Sequence, residues 1–93
     1  MLHIQYFGSI RAAAGKKEED LELSPGTSLF RLLETLSQRY GETFRGELLD
    51  GGQLRNDIAL SLNGKMIWRA AAEETLLRPG DLLALYSLFP GGG

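Results

Sequence analysis

The residues Pro90, Gly91, Gly92 and Gly93 carry the most chemically suggestive pattern in this sequence. Three consecutive glycines leave the terminal carbonyl without side-chain hindrance, and they adopt backbone angles that other residues cannot. Four extended residues reach at most about 13–14 Å, which is enough to thread a narrow tunnel. A terminal carboxyl group, with a reference pKa of about 3.3–3.7, is ionised at neutral pH and can attack the α-phosphate of ATP. The plainer interpretation is a frayed chain end.

Other reactive groups are scarce or scattered. The sequence has no cysteine, which excludes disulfides, thiol nucleophiles and cysteine metal sites. His3 is the single histidine, so no multi-histidine metal site can be built and a catalytic triad lacks its partners. The acidic run at residues 18–20 is typical of a solvated loop, and the glycines form no nucleotide-binding pattern. We therefore predict no self-contained active site and no cofactor bound by the chain itself.

Length and composition indicate one globular domain. The 93 residues are 43% hydrophobic and 24% charged, close to the averages for soluble domains. Ten Lys and Arg residues against twelve Asp and Glu residues are spread along the chain, which argues against a nucleic-acid partner. Apolar runs are far shorter than the ~20 residues of a membrane span, and the first residues do not resemble a signal peptide. We expect a cytoplasmic protein with no membrane or nucleic-acid partner.

The hydrophobic pattern predicts strands and one long helix. Leu29, Leu32, Leu33, Leu36 and Tyr40 recur at helical spacing. Thr27 is the expected N-cap of this helix, and Gly41 is expected in the left-handed conformation at its end. Alternating residues predict strands over 2–7, 20–23, 58–62 and 82–89, with a return strand over 65–68 after the Asn63-Gly64 turn. One short helical turn is expected between Gly8 and Gly15.

The segment 42–57 has no clear period. We expect a loop with short elements there, held by its apolar residues Phe44, Leu48, Leu49 and Leu54. The element order then predicts an α+β fold of the β-grasp, or ubiquitin-like, type, with a mixed sheet of about four or five strands covered by one main helix. The first and last strands are expected to pair in parallel at the centre of the sheet. We expect residues 1–89 to form the single domain and residues 90–93 to form a flexible glycine-rich tail.

Apolar residues near the tail are candidates for contact with a partner. Half of the side chains of the last strand face away from the helix, so an apolar patch is expected beside the tail. The residues predicted to contact the partner are Leu85, Leu88, Phe89 and Pro90, and alternation leaves Leu83 and Tyr86 as further candidates on the last strand. Phe7 and Trp68 are weaker candidates, and Arg11 and Arg78 are candidates for a charged rim.

Four segments resemble the MoaD family, the small subunit of molybdopterin synthase. They are residues 4–11, 26–29 with the following leucines, 60–64 and 77–85, and the glycine tail completes the pattern. The resemblance implies a sulfur carrier. An E1-like adenylating enzyme uses ATP to activate the carboxylate of Gly93, and a sulfur donor converts it to a thiocarboxylate. The large synthase subunit, which holds the catalytic residues, then receives the tail, and the sulfur passes to a pterin precursor of the molybdenum or tungsten cofactor.

The tail departs from the family pattern and leaves alternatives open. Members commonly have two prolines and one or two further residues before Gly-Gly, whereas here three glycines follow Pro90. Gly91 and Gly92 would serve as slim, flexible neighbours of the reacting residue. The alternatives are a sulfur carrier for another pathway, a ubiquitin-like protein modifier, and a β-grasp interaction module with an unused tail. Deleting Gly92 and Gly93 separates the last alternative, because a pure interaction module would keep its function.

Overall fold

A computed structural model describes residues 1–68 and 71–88 of the chain. The helices are α1 (Ser9–Ala14), α2 (Leu29–Tyr40) and α3 (Glu42–Leu48). The strands are β1 (Leu2–Tyr6), β2 (Glu18–Leu21), β3 (Leu49–Asp50), β4 (Gln53–Leu54), β5 (Ile58–Leu62), β6 (Lys65–Ile67) and β7 (Leu82–Ser87).

The main sheet has five strands in the order β2-β1-β7-β5-β6. The last strand in sequence, β7, lies at its centre, parallel to β1 on one side and antiparallel to β5 on the other. Leu85 is in register with both Tyr6 and Leu60. This arrangement confirms the predicted β-grasp fold and the parallel pairing of the first and last strands.

One face of the sheet and the three helices enclose the core. Leu2, Ile4 and Tyr6 of β1 are fully buried, as are Leu83 and Leu85 of β7. The helices contribute Ile10, Leu29, Leu32, Leu33, Leu36, Phe44 and Leu48. Because strand side chains alternate, the intervening residues point to the opposite side of the sheet, which we call the open face. Its members include His3, Gln5, Phe7, Ala59, Ser61, Met66, Ala84 and Tyr86.

The segment 42–57 contains a helix that its sequence pattern does not predict. In α3, Phe44 and Leu48 lie one turn apart and are both fully buried. Gly46 in the middle of the helix lowers its intrinsic propensity, so packing of these two side chains stabilises it. Leu49 pairs with Leu54 in a small hairpin closed by Gly51 and Gly52, both at positive φ. The prediction that four apolar residues anchor this segment is confirmed.

Several predicted boundaries shift by a few residues. Ser28, not Thr27, caps α2, because its hydroxyl accepts from the backbone N–H of Arg31 at 3.1 Å. The hydroxyl of Thr27 instead donates to Ser24. Gly41 ends α2 at φ 94° and ψ −169°, outside the left-handed helical region. The second strand is Glu18–Leu21 rather than 20–23, and the last strand ends at Ser87.

A polar cluster around Glu19 joins the edge strand β2 to β1 and α2. The carboxylate of Glu19 accepts hydrogen bonds from the hydroxyls of Tyr6, at 2.5 Å, and Tyr40. Lys16 and Arg39 add cations at 3.6 and 3.9 Å. Burial opposes ionisation of Glu19, but the two hydroxyl bonds and the two cations outweigh it and lower the pKa of the carboxyl group.

Replacing Glu19 with Gln is expected to lower the free energy of unfolding by about 1.5–3 kcal/mol at pH 7, because hydrogen bonds to a charged acceptor are lost. The folded pKa lies below the reference value of 4.5, so the stabilisation is present above that pH and is lost as the pH falls through the folded pKa. Urea denaturation from pH 7 to pH 3 measures both effects. Glu22→Gln, at an exposed site, is the control, and an equal loss in both variants would contradict the assignment.

Candidate functional site

The candidate site lies at the C-terminal end of the central strand β7. The strand ends at Ser87, and the backbone N–H of Leu88 donates to the carbonyl of Asp57 at 2.8 Å. We call Ser87 and Leu88 the tail root. Five residues that the sequence assigns to the tail or to partner contacts lie outside the described residues, so their roles stay predictions: Phe89, Pro90, Gly91, Gly92 and Gly93.

Leu85 does not contact a partner, contrary to the prediction. Its side chain is fully buried on the helix-covered face, between Tyr6 and Leu60 in register. Alternation along β7 puts Tyr86 on the open face instead. Leu88, the other described residue predicted for this role, is 54% exposed and therefore accessible to a partner.

Two aromatic rings and one cation lie on the open face beside the tail root. The rings of Phe7 and Tyr86 stack with their centroids 4.7 Å apart and an interplanar angle of 8°. The guanidinium of Arg11 lies 5.3 Å from the centroid of Phe7, and its Nε donates to the carbonyl of Tyr6 at 2.8 Å. Arg11 is thus beside the apolar surface, as predicted. Arg78 is not, because it lies in the turn before β7, at the opposite end of that strand.

An apolar cleft of about 440 Å³ continues this surface toward the edge strand β6. Met66 and Trp68 are 66% and 85% exposed, and Leu88 lies on the same cleft. The remaining lining residues are Asn56, Ile58, Ala59 and Ile67. The sequence analysis did not select Met66. The Asn63-Gly64 turn could have identified Met66, because it sets the register of the hairpin. This register pairs Met66 with Ser61 and so places Met66 on the open face.

His3 lies on the open face between two carboxylates of β2. Its Nδ1 is 2.7 Å from Asp20 Oδ1, and its Nε2 is 2.7 Å from Glu18 Oε1. Since both ring nitrogens face acceptors, the arrangement favours the doubly protonated imidazolium. The hydrogen bond to Asp20, followed by that to Glu18, raises the pKa of His3. The cluster lies at the β2 edge of the sheet, away from Met66 in the opposite edge strand β6 and from Trp68, which follows β6.

Within residues 1–68 and 71–88, no group of three or more His, Cys, Asp or Glu side chains has an arrangement that could hold a metal ion. In the same part of the chain, no helix has the length and apolar character needed to cross a membrane. The open-face rings of Phe7 and Tyr86, the apolar cleft and the neighbouring Arg11 make up one side of the tail root, a composition typical of a surface that binds another protein.

The sequence matches the model of the ThiS family over residues 4–92. No match was found among the curated proteins.

Solved structures of several proteins share the fold. Small archaeal modifier protein 1 of Haloferax volcanii is 18% identical, with a TM-score of 0.79 over 95% of this chain and 97% of that chain. A Pyrococcus furiosus protein named for subunit 1 of molybdopterin converting factor is 24% identical, with a TM-score of 0.74 over 95% and 97%. A chain in the BexX/CysO complex of Amycolatopsis orientalis is 16% identical, with a TM-score of 0.74 over 98% and 99%.

The single histidine is expected to titrate above its reference pKa of 6.5, because Asp20 and Glu18 stabilise its charged form. The stability that it adds is complete below pH 6.5 and is lost as the pH rises through the folded pKa. NMR titration of the ring protons measures the pKa without ambiguity of assignment. In the variant with Asp20→Asn and Glu18→Gln the pKa should fall toward 6.5, and an unchanged value would contradict the arrangement.

Proposed function

This chain belongs to the ThiS family of ubiquitin-like sulfur carriers, and we propose that the carboxylate of Gly93 is the group that carries the sulfur. The observation that supports this most directly is the position of the tail root. Ser87 ends the central strand and Leu88 follows it, beside the half-buried rings of Phe7 and Tyr86 and the apolar cleft. A partner that covers this surface has the tail directly within reach, since five extended residues span at most about 18 Å.

The proposed chemistry has two steps, and both involve the carboxyl group of Gly93. A carboxylate oxygen of Gly93 attacks the α-phosphate of ATP on an adenylating enzyme, forming an acyl adenylate and releasing pyrophosphate. Hydrosulfide supplied by a sulfur donor then attacks the carbonyl, so that a C–S bond replaces the C–O bond to AMP, AMP leaves, and a thiocarboxylate remains. The sequence has no cysteine, and this route needs none in the carrier, because the sulfur is held at the backbone terminus. The residues that catalyse both steps would belong to the partner proteins.

For the destination of the sulfur we propose a pterin precursor in molybdenum or tungsten cofactor biosynthesis. The support is the resemblance of four sequence segments to the MoaD family, which extends over nearly the whole chain. The large subunit of a molybdopterin synthase is then the second partner. The BexX/CysO complex is an example in which a chain of this fold is bound to another protein. Conjugation of Gly93 to lysines of other proteins is the alternative outcome.

Incubation of the full chain with ATP, an E1-like adenylating enzyme and a sulfur donor is expected to increase its intact mass by the exchange of one oxygen for one sulfur. Deletion of Gly93 should abolish the increase, because the new chain end would not fit an enzyme that recognises the full tail. Mass spectrometry of the untagged protein measures the change. Covalent adducts with lysine-containing proteins would instead identify a modifier, and no change with a panel of activating enzymes would contradict both roles.

Replacing Tyr86 with Ala is expected to raise the KM of the carrier for its adenylating enzyme about tenfold or more, because aromatic side chains at interfaces are frequent hot spots. The kcat should stay within about twofold, since Tyr86 acts in binding and the reacting carboxylate belongs to Gly93, farther along the chain. Leu76→Ala is the matched control, because Leu76 is 57% exposed but lies outside this surface. Equal effects of the two variants would contradict binding at Tyr86.

A further inference from the structure

The side chain of Ser87 is tied to two helices. Its hydroxyl oxygen lies 3.0 Å from that of Ser9 in α1, and Ser9 donates to Glu47 Oε2 in α3 at 2.7 Å. Gly8 permits this approach, because a Cβ atom there would lie only 3.1 Å from the Cβ of Ser87, and its φ of 64° favours glycine. The first residue of the tail root is therefore connected to α3 through Ser9.

The backbone of Leu88 is tied to the same helix by a second route. Asp57, whose carbonyl accepts from Leu88, receives two hydrogen bonds on its carboxylate from Arg55, at 3.0 and 3.2 Å. A third nitrogen of the same guanidinium donates to the carbonyl of Gly46 in α3 at 3.0 Å. This fork geometry fixes Asp57 in orientation as well as in distance.

Both routes end on α3, which Phe44 and Leu48 hold in the core. The side chains that form them contribute little apolar burial, and Arg55 is 34% exposed. Partly exposed ion pairs add little to global stability. Their common effect is local, because they restrain the two residues from which the tail starts.

We propose that Glu47 and Arg55 are positioning residues for the tail, since they fix the point and the direction from which residues 89–93 leave the sheet. The inference rests on the proposed function, in which the tail enters a partner protein. A tail that starts from a restrained root loses less conformational freedom on binding than one whose root is also free. Loss of either restraint therefore weakens binding of the tail without changing the chemistry at Gly93.

The first test is amide hydrogen exchange of the free full-length chain. In Arg55→Ala, the amide of Leu88 is expected to exchange about tenfold faster, while amides within β7 keep their protection, because the opening is local. Arg31→Ala removes an exposed arginine of α2 and is the control. An unchanged rate at Leu88, or an equal acceleration throughout β7, would overturn the inference whatever the chain's function.

The second test measures adenylation of Gly93 by the enzyme that activates the wild-type chain. Arg55→Ala and Glu47→Ala are expected to raise KM about fivefold to tenfold, with kcat within about twofold. Glu47→Gln keeps an acceptor for Ser9 and should restore a KM near that of the wild type. Glu34→Ala, at an exposed position of α2, is the control.

The two tests separate the inference from the proposed function. Faster exchange at Leu88 with an unchanged KM would overturn the positioning role and leave the sulfur-carrier function intact. Failure of the wild-type chain to be adenylated at Gly93 would overturn the proposed function itself, and the inference with it. Faster exchange at Leu88, a raised KM in Arg55→Ala and Glu47→Ala, and a KM near that of the wild type in Glu47→Gln would together establish the positioning role and the adenylation of Gly93.

Discussion

The parallel pairing of β1 with β7 is the constraint on which the rest of the structure depends. It places the last strand in the middle of the sheet, with hydrogen-bonded neighbours on both sides and Leu83 and Leu85 in the core. A strand in that position cannot fray without opening the core. The segment after Leu88 therefore starts from one of the most firmly held parts of the molecule, which suits the proposed role of the chain end in entering partner proteins.

The two faces of the sheet differ in role: one packs into the core and the other carries exposed side chains. The covered face holds Tyr6 with Tyr40 and Phe44 in edge-to-face contacts, and Glu19 connects this aromatic group to the edge strand. The exposed apolar side chains that line the cleft lie outside the core and contribute little to its packing. A domain of this size can leave such groups exposed because the helices already cover the face on which its stability depends.

Local periodicity was sufficient to predict most of the fold but only part of the site. Alternation and helical spacing located the strands and α2 because those segments are long and amphipathic. Helix α3 was missed because a seven-residue segment containing Gly46 forms only through burial of Phe44 and Leu48. Leu85 was misassigned since period-two alternation gives two faces without saying which is covered. Arg55, Glu47 and Ser9 act through contacts between distant parts of the chain, and no local pattern reports these.

The edges of the sheet have a consequence for how the molecule behaves at high concentration. A bare edge strand is a template on which further copies can add, and aggregation follows. Here β6 is three residues long, and β2 carries Glu18, Glu19 and Asp20 in succession. Like charges on the β2 edges of two copies repel each other at neutral pH. The charged β2 edge and the short β6 edge therefore oppose the edge-to-edge addition of further copies at neutral pH.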